Sequence, residues 1–120
     1  MKIAILGNGG REHALAYSII KSKKVQKLFC LPGNAGTATV AKNVSIDINN
    51  FGLIYKFIKK ENIELVIVGP EKPLVDGIVD FLEKKKIKVF GPRKNSAKLE
   101  GSKIFTKKIC KKYKIPSAKF

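Results

Sequence analysis

Lys2-Ile3-Ala4-Ile5-Leu6-Gly7-Asn8-Gly9-Gly10-Arg11-Glu12-His13-Ala14 follows the first methionine of the chain. Lys2 to Leu6 is an apolar run cut off by glycines, the pattern of a buried strand. From Arg11 to Ser22 the period becomes helical, with Leu15 and Ile19 on one face. A strand that turns through glycines into a helix is the first half of a crossover unit, and the alternation continues. Lys27 to Leu31 reads as a second strand, stopped by Pro32-Gly33-Asn34. A loop runs through Thr39, and a short strand is expected near Val44 to Ile46. Asn50 is placed to cap a helix in which Phe51, Ile54, Tyr55 and Ile58 recur at helical spacing. Leu65-Val66-Ile67-Val68 is the continuous run expected of a strand covered on both faces. Gly77 to Lys85 forms the next helix, with Ile78, Phe81 and Leu82 inward, and Lys88 to Phe90 the last strand, closed by Gly91-Pro92. The expected fold is α/β, an open parallel sheet of about five strands with helices on both faces.

After Pro92 the rhythm changes. Ser96 to Glu100 reads as one helical turn and Lys103 to Tyr113 as a basic helix with Phe105 and Ile109 inward. Ile115 to Phe120 looks like the opening of another strand.

Composition narrows the function classes. The 120 residues suffice for one domain around one core, and 44% apolar content is too high for a disordered tail. The apolar runs are too short to cross a bilayer. Ile3 to Leu6 is too short for a signal-peptide core, and no small-residue cleavage site follows it. Cys30 and Cys110 form no C-x-x-C pair, so a reduced, cytoplasmic chain is expected. The net charge of +16 is unevenly spread: residues 84–120 hold 14 basic side chains and one acidic, Glu100. Such a stripe is a possible footprint for nucleic acid. However, Lys outnumbers Arg 23 to 2 and aromatic residues are not interleaved, so a solvated surface is the preferred reading. A nucleotide- or nucleic-acid-binding module using this basic end is kept as the alternative.

Three Gly/Pro loops fall at strand ends, where open parallel sheets bind ligands. Gly7-Asn8-Gly9-Gly10-Arg11-Glu12 supplies two glycines of G-x-G-x-x-G but has Glu12 where the third belongs. Pro32 and Gly33 stand where a ribose-binding acid would end the second strand, so a dinucleotide site is disfavoured. A glycine turn before a helix N-terminus still suits an anion, and Arg11 there is better tolerated with an anionic partner than in open solvent. Pro32-Gly33-Asn34-Ala35-Gly36-Thr37 is the second loop. Gly69-Pro70-Glu71-Lys72-Pro73-Leu74 is the third, and its Glu71 is either a hydrogen-bond acceptor for a sugar diol or an ordinary loop acid. His13 has no partner in sequence, which favours packing over catalysis. No Cys/His cluster, carboxylate pair or Ser/His/Asp set suggests a metal or a catalytic centre.

Gly7-Asn8-Gly9-Gly10-Arg11-Glu12-His13-Ala14, Pro32 to Thr37, Gly69 to Leu74 and Leu99-Glu100-Gly101-Ser102-Lys103 occur in order. Jointly they resemble the N-terminal region of the glycinamide ribonucleotide synthetase (phosphoribosylamine–glycine ligase) family, ATP-grasp ligases of purine biosynthesis. The resemblance covers essentially the whole chain. It implies a Rossmann-like pre-ATP-grasp domain over 1–100 and the start of the ATP-grasp portion over 101–120. It also implies 5-phosphoribosylamine, glycine and ATP as substrates, with Mg²⁺, their main ligands lying in later domains that pack on the C-terminal part. Substrate-binding positions carried over are Gly7, Asn8, Gly9, Gly10, Arg11, Gly33, Asn34, Gly36, Thr37 and Glu71, with Lys103 facing ATP phosphates. No catalytic residue and no metal ligand is expected within these 120 residues, and the isolated chain is not expected to catalyse.

Overall fold

The computed structural model describes residues 1–94, 96 and 97. Five strands are described: β1 (Lys2–Gly7), β2 (Lys27–Pro32), β3 (Lys42–Asn43), β4 (Leu65–Val68) and β5 (Val89–Phe90). They form one parallel sheet in the order β3-β2-β1-β4-β5. Between them run helices α1 (Gly10–Ile19), α2 (Phe51–Glu61), α3 (Glu71–Val75) and α4 (Ile78–Lys84), with a 3₁₀ turn at Thr37–Thr39. This is the expected Rossmann-like architecture, and the first connection shows why it forms. β1 pairs with β2 from Lys2 opposite Lys27 to Gly7 opposite Pro32, which a parallel pair achieves only through a crossover.

The pleat divides the core into two layers. Ala4 and Leu6 of β1, Phe29 and Leu31 of β2, and Val66 and Val68 of β4 face α2 and α4. Ile3 and Ile5, Leu28 and Cys30, and Ile67 face the side of α1, where Ala16 is fully buried. Both faces are therefore apolar, as the unbroken Leu65–Val68 run requires. On α2, Ile54 and Ile58 lie one turn apart and are buried, each stabilising the fold by roughly 1.5–3 kcal/mol. The expected cap holds: Asn50 accepts a hydrogen bond from the Leu53 N–H at 3.1 Å.

Several expectations need correction. The third strand is Lys42–Asn43 and not Val44 to Ile46. After Val44 donates to the Cys30 carbonyl the chain turns, with the Ile46 N–H on the Val44 carbonyl, while Val44, Ile46 and Ile48 pack on the core. The first helix ends at Ile19, three residues short of Ser22. The stretch after Pro70 is helical from Glu71 to Val75 rather than a loop. Pro73 is tolerated because it is the third residue of α3, where a helix has no use for the N–H that proline lacks. The expected turn at Ser96 to Glu100 is described only at Ser96 and Ala97. The expected helix at Lys103 to Tyr113, the strand from Ile115, Lys103 and the boundary at 100 lie outside the described residues.

Candidate functional site at the switch point of the sheet

β1 lies mid-sheet, with β2 on one side and β4 on the other, so the chain reverses direction across the sheet at β1. Loops leaving neighbouring strands diverge at such a point and leave a crevice at the carboxyl edge. A cleft of about 330 Å³ opens there, lined by Asn8, Gly9, Gly10, Arg11 and Glu12 from the first loop and by Pro70 and Glu71 after β4.

The first loop is shaped from beneath by Glu12. Its side chain is 4% exposed, and Oε2 accepts a hydrogen bond from the Gly9 N–H at 2.7 Å. This is half of a capping box, the third helical residue reaching back to the residue before the helix. Its carboxylate needs room that only glycines leave. A Cβ on Gly7 would stand 2.6 Å from Glu12 Cδ, and a Cβ on Gly69 would overlap the carboxylate outright. Gly7 also has φ +132°, a conformation that disfavours any side chain. Arg11, the next residue back, is exposed, and its Nη1 donates to the Gly69 carbonyl at 3.1 Å, tying α1 to the end of β4. Gly10 differs from its neighbours. A Cβ there would meet nothing within 4 Å, so its backbone faces open space at the positive end of α1.

The second loop lies behind the first as a brace. Asn34 Nδ2 donates to the carbonyls of Asn8 at 2.9 Å and Gly9 at 3.1 Å, while its Oδ1 accepts from the Thr37 N–H. Thr37 is fully buried; its hydroxyl donates to Asn43 Oδ1 at 2.6 Å and accepts from the Asn34 N–H. Asn43 Nδ2 closes the ring by donating to the Asn34 carbonyl. The His13 ring packs where a Cβ on Gly36 would sit, which agrees with the packing reading of that histidine. Burial pushes the Cys30 thiol above its ordinary value; a hydrogen bond with Thr37 opposes the rise and the nearby Glu12 charge adds to it.

The predicted residues thus separate into two groups. Asn8, Gly9, Gly10, Arg11 and Glu71 line one cleft with Glu12, and Gly7 lies beneath it against the Glu12 side chain. Gly33, Asn34, Gly36 and Thr37 belong to the loop that supports it. Glu71 is the exposed first residue of α3. Sequence reasoning counted Glu12 as a failed glycine and missed both its burial and the bracing role of Asn43. The spacing of a helix-opening glycine and a glutamate three residues later was the available signal for Glu12. A larger hollow of about 490 Å³ is lined by Phe51, Phe81, Asp76 and Asp80. Its acids are already engaged, Asp76 with Lys72 and Asp80 with the Lys94 N–H, so the smaller cleft is the better candidate. In the described part of the basic stripe, Arg93 pairs with Glu83, and Lys85 lies over the rings of Tyr55 and Phe81.

Known proteins share this fold. Phosphoribosylamine–glycine ligase of Escherichia coli K12 is 47% identical over 122 residues, a match covering 100% of this chain and 28% of that protein. The crystal structure of phosphoribosylamine–glycine ligase from Thermotoga maritima superposes with a TM-score of 0.68 at 33% identity, over 99% of this chain and 26% of that one. The dTDP-glucose 4,6-dehydratase of Bacillus anthracis, solved in complex with NAD, shares the fold alone, with a TM-score of 0.56 at 17% identity over 97% of this chain and 52% of that one. This chain therefore spans under a third of the ligases it matches. Residues 1–100 match the family described as phosphoribosylglycinamide synthetase, N domain. Given that match over most of its length, the chain belongs to the phosphoribosylglycinamide synthetase N-domain family.

Proposed function

We infer that the chain is the phosphoribosylamine-holding N-terminal domain of an ATP-dependent carbon–nitrogen ligase of purine biosynthesis, one that joins glycine to 5-phosphoribosylamine to give glycinamide ribonucleotide. The observation that carries this reading is the cleft at the switch point, lined by the first and third glycine loops, in a chain whose residues 1–100 match that family. The substrate phosphate sits against the Gly10 and Arg11 N–H groups in the first turn of α1, where the helix dipole favours an anion. Arg11 adds its charge, and Glu71 accepts from the ribose hydroxyls. The loop from Gly33 to Thr37 holds the first loop in place through Asn34.

In the whole protein ATP phosphorylates the glycine carboxylate and leaves as ADP. The substrate amine then attacks the acyl carbon, releasing phosphate and a proton. Among the described residues no group of three or more His, Cys, Asp or Glu is placed to hold a metal ion. Residues 1–100 are assigned to the substrate domain and 101–120 to the start of the ATP-grasp portion, with Lys103 assigned to the ATP phosphates. In the whole ligase, later domains complete the site that this part begins. The whole ligase binds ATP and works in the cytoplasm.

Titrating the 120-residue chain with glycinamide ribonucleotide tests this reading by amide NMR. Shifts are expected at Gly10, Arg11 and Glu71, with smaller ones at Gly9 and Gly36, and with little salt dependence. Shifts confined to 84–119 that collapse steeply with salt would overturn it.

A further inference from the structure

The dehydratase described above shares this fold and was solved with NAD, whereas the first loop of this chain departs from the dinucleotide pattern at Glu12. In dinucleotide sites the second glycine lets the pyrophosphate approach the backbone, and the third lets helix and strand close up. Gly9 occupies the second position, but its N–H already donates to Glu12 Oε2 at 2.7 Å. A diphosphate drawn over Gly9 finds no free donor there. It meets instead a carboxylate buried directly beneath the turn, where charge repulsion is weakly screened. Glu12 has no easy retreat, because its side chain fills the space above Gly7 and Gly69. Gly10 stands one residue further on and lines the cleft, and a Cβ there would meet nothing within 4 Å, so an anion can reach the start of α1 without passing over Gly9.

We propose that Glu12 is a specificity-determining residue: by occupying the Gly9 N–H and placing a carboxylate under the turn, it restricts the cleft to phosphomonoesters and rejects nucleoside diphosphates and dinucleotides. The inference rests on the reading of the cleft as a phosphate site.

The test compares the full 120-residue chain with its Glu12→Gln and Glu12→Asp variants, using ribose 5-phosphate and ADP-ribose as probes in amide NMR titrations. Gln keeps an acceptor for the Gly9 N–H and removes the charge; Asp keeps the charge. For Glu12→Gln the affinity for ADP-ribose relative to ribose 5-phosphate should rise about tenfold or more, the scale of relieving one charged contact. Glu12→Asp should keep the wild-type ratio. If Glu12→Gln does not give a dispersed spectrum, Glu12→Met, uncharged and similar in volume, replaces it with the same expected rise. An unchanged ratio, or an equal gain for both probes, overturns the assignment to Glu12 while leaving the phosphate site standing. Failure of ribose 5-phosphate to shift Gly10 or Arg11 in any chain overturns the phosphate reading, and this inference with it.

Discussion

Gly69→Ala probes the physical core of the site without touching its surface. Gly69 lies outside the left-handed region, so the substitution brings no backbone strain, only one methyl group. That methyl falls on the Glu12 carboxylate, and it also lies 2.9 Å from Glu12 Cγ, so a small tilt of the carboxylate does not clear it. The side chain must swing into the cleft and release the Gly9 N–H. Losing a hydrogen bond to a charged group costs about 1.5–3 kcal/mol, and inserting a methyl into a packed site about 1–3 kcal/mol. Rehydration of the expelled carboxylate offsets part of this, leaving a destabilisation of about 2–4 kcal/mol. For a domain near 100 residues that lowers Tm by roughly 10–25 °C. Urea unfolding followed by circular dichroism gives the loss, and a double-mutant cycle with Glu12→Ala identifies its cause. With Glu12 truncated, the new methyl enters vacated space, and Gly69→Ala should cost less than about 1 kcal/mol. If the two substitutions are additive, Glu12 is not what requires glycine at position 69, and the account of the loop is wrong.

Asn34→Ala removes two donors to the first loop and the acceptor for the Thr37 N–H, and should cost about 1–3 kcal/mol. Hydrogen exchange at Thr37 should quicken while the β1–β2 ladder stays protected; uniform quickening would refute the brace. Because burial raises the Cys30 thiol, the folded chain keeps its proton at a pH where the unfolded chain loses it. That contribution is intact below the ordinary thiol pKa and is lost as pH rises through the unfolded and then the folded value. Wild type should therefore lose more stability than Cys30→Ala between about pH 8 and 10, measured by urea midpoints. In the whole ligase, Arg11→Ala should raise KM for phosphoribosylamine about tenfold to over a hundredfold, and much less for ATP. A lowered Tm with an unchanged KM would make Arg11 purely structural through its bond to Gly69.

Much of the fold was present in local pattern, because a chain that alternates buried strands with amphipathic helices has few ways to bury both. Leu65 to Val68 had to be central once it was apolar at every position, and Asn50 had to open a helix because its carboxamide meets an otherwise unpaired N–H. The third strand misled because Val44, Ile46 and Ile48 alternate like a strand and pack on the core, while the ladder with β2 holds Lys42 and Asn43 and the chain turns back on itself after the Val44 bond to Cys30. Helix α3 was hidden by Pro73, which reads as a breaker until its position in the first turn is known.

For the candidate site, sequence alone singled out the glycine loops, Arg11 and Glu71 as candidates, since glycine turns and charges beside them are written in consecutive residues. Tertiary structure alone decided how they combine. Glu12 meets Gly7 and Gly69 across 5 and 57 positions of chain, and Arg11 reaches the Gly69 carbonyl across 58. Those contacts exist because β1 and β4 are neighbours in the sheet, with Leu6 paired to Val68. A residue that is an anomaly in the linear motif becomes the floor of the loop only when the two strand ends are brought side by side.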